Sequence, residues 1–358
     1  MASTADAIAA VTAALAQLPP AESIPEEERF KLLGAIDKVR VAMEPPVLTV
    51  RNYCFAHYGL VGIRVAIGMG IFDALAAGGG SPQTISQLSD KTKGDEKLLT
   101  RFLRLLVTKN LVVENADQTY QPLPLAMGFV TGSPLVAAIH HFYSNMKVSA
   151  NLNKFFQATD YANPEDAWAA PFHFAYNTKD HHFDWLQKNP EDLHAFNTLM
   201  SLNRQIEGER FPDIPGRLIV EDLSSVIQNI KAPLGEGIEA IGYDMFTEQP
   251  VKGAKVYYMR TVLHDWPDKQ ALEALGHIWD AMAEDSILLI NENTLPKKDA
   301  PAFSVAMDIL MMEMYASLER TEKQWTELLE RAHFKVVKIW RGNEQGGGAS
   351  ALYEAVPV

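Results

Sequence analysis

KVYYMRTVLHDWPDKQALEAL, residues 255–275, decides how the second half of the chain reads. An apolar, strand-forming run gives way after Met259 to Arg260 and the cluster His264-Asp265-Trp266, and a helical pattern follows Pro267. Strand, loop and helix in that order make the repeating unit of an α/β sheet. Working outward, RLIVEDL (217–223), the segment around EAIGYDMF (239–246), SILLINE (286–292) and KVVKIW (335–340) are further strand candidates. ALEALGHIWDAMA (271–283) and TEKQWTELLERA (321–332) are the helices between them. The expectation is a doubly wound, Rossmann-like α/β sheet over residues 211–358. The ending KVVKIWRGNEQGGGASALYEAVPV (335–358) predicts two strands joined by a Gly-rich loop, an antiparallel hairpin on the sheet edge.

Upstream the texture is helical. Ile8, Val11, Leu15 and Leu18 recur at helical spacing until Pro19-Pro20, and a second helical run breaks at Pro45-Pro46. The stretch LVGIRVAIGMGIFDALAA (60–77) has an apolar face too wide for a lone surface helix, so it predicts burial in a core or between subunits. From Ser81 two short helices, the second striped by Leu98, Leu99, Phe102, Leu103 and Leu106, lead to two short strands around Val112 and Tyr120. That is a winged-helix outline. Its second helix is mostly apolar, which suits an interaction module better than a DNA-reading element. Residues 134–210 are helical again and rich in aromatic and histidine side chains, as a pocket for a flat organic molecule requires and as an ordinary core also provides. The predicted division is therefore 1–133, 134–210 and 211–358.

The 358 residues carry 32 Lys+Arg against 45 Asp+Glu, a net charge of −13, with 47% apolar residues. The acidic balance argues against a nucleic-acid partner. No apolar run reaches the roughly 18 residues of a membrane span, and the first residues lack a signal peptide's positive start. One cysteine, Cys54, makes neither an internal disulfide nor a Cys-rich zinc site. These features predict a cytoplasmic protein without a membrane partner.

Ligands of open α/β sheets sit beyond the carboxyl ends of the strands. Asp222 could hold the two hydroxyls of a ribose, or cap the helix starting at Ser224. Asp244 and Met245 could hold an adenine. Arg260, His264 and Asp265 follow one strand, and Glu292 closes another. His264 can take a proton near neutral pH or serve structurally; Glu292 or Glu319 could orient its ring. The pairs His140-His141 and His181-His182 lack metal-ligand spacing, so no metal is assigned.

The runs YDMF, KVYYMRTVLHDWPDKQALEAL, ILLINENTLP and LERTEKQWTELLERAHFKVVKIW closely resemble the S-adenosylmethionine-dependent O-methyltransferases of fungal secondary metabolism. RVAIGMGIFDAL resembles the family's dimerisation helices, LLTRFLRLLVTKNLV its winged-helix segment, and FHFAYNTKDHHFDWLQKNPEDLHAFNTLM its substrate-side helices. The resemblance implies His264 as general base toward a phenolic or enolic hydroxyl, with Glu292 and Glu319 flanking and orienting its imidazole. It implies Asp222 on the ribose, Asp244 and Met245 on the adenine, Arg260 near the cofactor, and a homodimer acting on an aromatic or polyketide-like small molecule. His140, His141, His173 and Asp265 are the candidate substrate contacts. One family element has no counterpart. Ahead of RLIVEDL there should be an apolar strand, a Gly-rich turn and a helix, roughly thirty residues with the return, and here FPDIPG (211–216) leads straight into the second strand. The implied consequences are a sheet without a central strand and weak or absent S-adenosylmethionine binding. An impaired methyltransferase, a methyltransferase-like pericyclase and a non-catalytic dimer partner all remain open.

Overall fold

Three helices, Thr4–Ala16, Glu26–Met43 and Pro46–Phe55, make up most of the first of two compact units, Met1–Ala56 and His57–Val358. The computed structural model describes residues 3–116, 118–207, 216–230, 233–341 and 349–358. A capping box starts the first helix. Ser3 Oγ accepts from the Asp6 amide and the Asp6 carboxylate accepts from the Ser3 amide, satisfying two donors that a helix start leaves over. None of the three helices buries a residue, and Ile8, Val11, Phe30, Leu33, Ile36 and Val50 all stand exposed. Exposure of that many apolar side chains on consecutive helices marks a surface built for covering.

In the second unit, helices Tyr58–Gly68 and Ile71–Ala76 precede a winged-helix arrangement. Helices Ile85–Thr92 and Glu96–Thr108 are capped by Thr84 and Asp95, and the strands β1 (Gln83–Thr84), β2 (Val112–Glu114) and β3 (Thr119–Pro122) form a small antiparallel sheet in the order β1-β3-β2. Leu99, Leu103 and Leu106 turn inward against Ile71, Phe72 and Leu75. The apolar face of residues 60–77 is thus largely consumed by this core, whereas the helices of the first 56 residues leave their apolar side chains uncovered. Helices Pro134–Ser149, Leu152–Ala158, Pro171–Tyr176, His182–Gln187 and Pro190–Glu207 form the aromatic-rich layer. It packs against the preceding segment through helix Tyr58–Gly68, within the second compact unit. No helix among the described residues is long and apolar enough to cross a membrane.

The α/β part holds β4 (Leu218–Asp222), β5 (Ile238–Gly242), β6 (Val256–Arg260), β7 (Ile287–Thr294), β8 (Phe334–Arg341) and β9 (Ala349–Pro357). These do not form one sheet. β4 and β5 pair in parallel as one, and β6-β7-β9-β8 form the other, with β6 parallel to β7 and β9 antiparallel to both its neighbours. The final hairpin takes its expected place at the sheet edge, with β9 paired to β7 on its inner side and β8 forming the rim. The Gly-rich loop at 342–348 and the junction at 208–215 lie outside the described residues. Around the larger sheet, Tyr257, Leu288, Ile290, Tyr353, Trp325, Leu328 and Phe334 build the core.

Among the described residues β4 pairs with β5 and β6 pairs with β7, so the two sheets do not join where a continuous doubly wound sheet would place another parallel strand. The flanks carry the signature of that gap. Val220 on β4 is 44% exposed, and Val256 and Tyr258 on β6 are 45% and 42% exposed, although parallel strands are normally covered on both faces. A side-chain link crosses instead: the buried Gln249 donates to Glu221 Oε2 at 2.9 Å. The expected loss of the first βα unit is thereby visible as a split sheet. By hydrogen exchange, amides of β4 and β5 are expected to exchange at least about tenfold faster than those of Leu288, Ile290 and Tyr353, since a two-stranded sheet opens at lower free energy; equal protection would show the sheet closed in solution.

Candidate active site

β6 ends at Arg260, and the chain turns away at Thr261, whose φ of +45° lies in a region that side chains with a branched β-carbon rarely adopt. The short helical turn Leu263–Asp265 follows at once and carries His264. What holds this turn is charge. Glu292, 1% exposed at the carboxyl end of β7, accepts from the Val262 and Leu263 amides through Oε1, both at 2.9 Å. Glu292 Oε1 thus bonds the backbone of the turn while its charge acts on the imidazole, and Glu319 is the carboxylate hydrogen-bonded to the ring. His264 Nδ1 donates to Glu319 Oε1 at 3.1 Å, and Nε2 lies 3.6 Å from Asp265 Oδ1. Ser317 Oγ donates to the His264 carbonyl at 2.6 Å.

Burial by itself would push the imidazole toward its neutral form. Asp265, the Glu319 bond and the charge of Glu292 outweigh that and raise its pKa to about 10. The carboxyls feel the same burial with the opposite sign. Desolvation lifts Glu292 to about 7 against the pull of His264 and the turn amides, and lifts Asp265 to about 6. His264 is therefore an imidazolium at neutral pH, and a proton donor at Nε2.

An aromatic wall stands on the Trp266 side. His181 stacks on Trp266 with centroids 4.6 Å apart, Phe246 meets it edge-on at 4.6 Å, and Trp168 tilts against it at 6.2 Å. Phe183 packs on Tyr315 at 5.3 Å, and the Tyr315 hydroxyl shares a hydrogen bond of 3.0 Å with His182 Nδ1. Burial pushes Tyr315 well up, with Asp265 adding to it, so the phenol stays protonated. Reading the sequence did not select His181, His182, Trp266, Tyr315, Ser317 or Arg320 as site residues. The density of rings in PFHFAYNTKDHHFDW (171–185) and the position of Arg320 next to Glu319 are the signals that point to them.

The candidate substrate residues separate. Asp265 joins the His264 cluster. His141 is buried, bonded to Asn145 at 3.2 Å and lowered by burial to about 4, so it is a neutral histidine whose field reaches His182. His173 is buried and lowered chiefly by burial, and it neighbours His181. His140 lies elsewhere, in a surface cleft with Arg64, Tyr143, Lys147 and Tyr176, where its Nε2 stands 3.1 Å from Asp192 Oδ1. Among the described residues no three His, Cys, Asp or Glu side chains converge as metal ligands would.

Asp222 closes β4, and its Oδ1 accepts from the adjacent Leu223 amide at 2.7 Å. Helix Ser224–Ile227 has no side-chain cap, which removes the capping explanation for Asp222. Asp244 Oδ1 accepts from the Phe246 amide at 3.0 Å, shaping the loop after β5, and Met245 leans on the core. Arg260 is half-buried at the end of β6. These residues suit the nucleoside half of an adenosyl cofactor. The other half has no cradle among the described residues. Gly242, which ends β5, is closed off because an added Cβ would meet Ser224 Oγ at 2.4 Å, and Gly216, which is open, precedes β4 at its amino end. No glycine turn opens a helix beyond a strand here, so the residues present do not fit the whole cofactor.

An O-methyltransferase domain family matches residues 191–335, and an O-methyltransferase dimerisation domain family matches residues 52–132. Methyltransferase cfoC of Aspergillus candidus is 30% identical, with 88% of each chain covered. O-methyltransferase lepI of Aspergillus flavus is 28% identical over 375 positions, covering 94% of this chain and 96% of its own. That alignment is longer than the 358 residues available here, so the relative has residues without counterparts in this chain. The solved structure of LepI with S-adenosylmethionine matches at a TM-score of 0.83 and 26% identity, over 99% of this chain and 100% of that one. With sequence, domain content and fold in agreement, the chain belongs to the S-adenosylmethionine-dependent O-methyltransferase family of secondary metabolism.

Proposed function

We propose that this O-methyltransferase-type protein acts on an aromatic or polyketide-like metabolite with an acidic hydroxyl, whose oxygen His264 holds in ionised form. The observation that carries this is the His264–Glu319 pair at the end of β6, beside a wall of aromatic rings. With Nδ1 committed to Glu319, only Nε2 faces a ligand. A phenol or enol placed there meets a fixed positive charge, which lowers its pKa so that its proton passes to solvent water and the oxyanion, the form in which oxygen is a competent nucleophile, stays paired with Nε2. In the family the sulfonium cofactor supplies the methyl group. Asp222, Asp244, Met245 and Arg260 are the residues that would hold its nucleoside side in this chain. Cofactor-free protein titrated with S-adenosylhomocysteine is expected to give no saturable heat up to about 1 mM, and a micromolar dissociation constant would prove the glycine turn dispensable.

A second reading is favoured by the same geometry. A charged hydrogen-bond donor beside an aromatic wall can guide ring closure of a polyketide-derived substrate without any methyl donor, and one solved structure that this chain matches at a TM-score of 0.83 and 26% identity is described as a pericyclic reaction enzyme. Turnover by cofactor-free protein distinguishes it from methyl transfer. In either case His264→Ala should cut the rate by about 10²–10⁴-fold, and unchanged turnover removes His264 from the chemistry. We also propose a homodimer, from the dimerisation domain match and the exposed apolar side chains of the first unit, housed in the reducing cytoplasm that suits the exposed Cys54. Light scattering giving a monomer would overturn the dimer.

The charge state of the site also fixes a pH dependence. An unfolded imidazole titrates near 6.5, whereas His264 holds its proton to about 10. Its stabilising contribution is complete below the unfolded value and is lost as pH rises through about 10. Between pH 7.5 and 9.5 the urea midpoint of the wild-type protein should fall, while that of His264→Gln stays nearly level; parallel falls in both would contradict the assignment.

A further inference from the structure

The segment Ala316–Thr321 grips the His264 turn at more points than one carboxylate–imidazole pair requires. Besides Ser317 and Glu319, the fully buried Arg320 spreads its guanidinium across the turn. Nη1 donates to the Leu263 carbonyl at 3.0 Å and Nη2 to the Trp266 carbonyl at 2.9 Å, one residue before His264 and two after it. Nε and Nη2 both donate to Asp268 Oδ1, at 3.1 and 2.8 Å, and the guanidinium lies over the Trp325 ring at 4.9 Å. Glu292 takes the amides of the same turn from the opposite side. The turn is therefore clamped between a buried anion on its N–H side and a buried cation on its C=O side.

We propose that Arg320 is a positioning residue, whose planar fork fixes the His264 turn against Glu319 and so sets where the imidazole stands in the site. The physical basis is the geometry of the donors. Three acceptors, two carbonyls and a carboxylate, are met in one plane, and an ammonium at the end of a flexible stem cannot meet all three. Because Glu319 and Arg320 are adjacent, the backbone that carries the ring's partner is tied to the backbone that carries the ring. Asp268 does not depend on Arg320 alone, since Arg331 also pairs with it. Arg331 is thus the control that loosens Asp268 without touching the turn.

The inference rests on His264 being the working group of the proposed function, but its test needs no turnover. The imidazole is faced by Asp265, Glu292 and Glu319, with Tyr315 and Arg320 beyond them. In full-length protein with ¹⁵N-labelled histidine, His264 of the wild type should titrate far above an ordinary imidazole. Arg320→Lys, which keeps the charge and loses the fork, should lower that midpoint by at least about one pH unit, a tenfold change in proton affinity, with near-ultraviolet circular dichroism unchanged. Arg331→Lys should leave it in place. An unmoved midpoint in Arg320→Lys, or an equal fall in Arg331→Lys, overturns the proposal. Should Arg320→Lys not fold, Arg320→Gln is read the same way, and loss of fold in both assigns Arg320 to the fold alone and overturns it too. A shifted titration in protein that turns over no hydroxyl substrate would sink the proposed function and leave the positioning role standing.

Discussion

The seven-residue connection between β6 and the helix Asp268–Ala281 would leave buried amides and carbonyls unpaired were it not for Glu292 and Arg320. Glu292 accepts from its amides and Arg320 donates to its carbonyls. Leaving such groups unmet costs about 1–3 kcal/mol each, so the pair does as much for the fold as for the chemistry. Once the turn is rigid, His264 has a fixed place, and Glu319 needs only one hydrogen bond to select which ring nitrogen faces the ligand. The surplus of carboxylates around the ring then keeps the proton on it. The ring thus offers a charged N–H donor, which serves the proposed reading with a methyl acceptor and with a substrate undergoing ring closure alike.

The split sheet is the counterweight. β4 and β5 keep Asp222 and the Asp244 loop at carboxyl ends, where an adenosyl group would be met, yet they are detached in hydrogen bonding from the strands that hold His264. A Rossmann-type site depends on adjacency of its halves, with glycine letting backbone approach the ligand between them. Here the strands that carry Asp222 and the Asp244 loop and those that carry His264 are both present, and the piece that should join them is not among the described strands. The burial pattern agrees: Leu288 and Ile290 in β7 are wholly covered, whereas Val220 and Val256 on the facing edges are not.

Much of this was legible in the residues themselves. Strand and helix periodicities located β4 to β9, the stripe of Leu99, Leu103 and Leu106 with the two short strands after it outlined the winged-helix segment, and the LHDW block drew attention to His264. The missing glycine turn was legible too, because a strand, a turn and a helix cannot be hidden in FPDIPG. Local pattern decides such features, since periodicity and capping act over a few residues. The sequence by itself therefore determined which elements form, which family they belong to and which element is lacking.

Only the tertiary structure decided how the charges are shared. Nothing in the spacing of Glu292 and Glu319 tells that one holds the backbone of the turn and the other the ring, or that Arg320 closes the turn from its far side. Strand order likewise arises from long-range pairing: the hairpin motif predicted an edge position, but not that β9 would be the strand joined to β7 and β8 the rim. The apolar stretch at 60–77 shows the same limit: its composition specified burial, but whether its own chain or a second one would supply the cover depended on where Leu99, Leu103 and Leu106 came to rest. Burial and the partners of a charge are properties of the packed whole, because they are fixed by residues distant in sequence and adjacent only after folding.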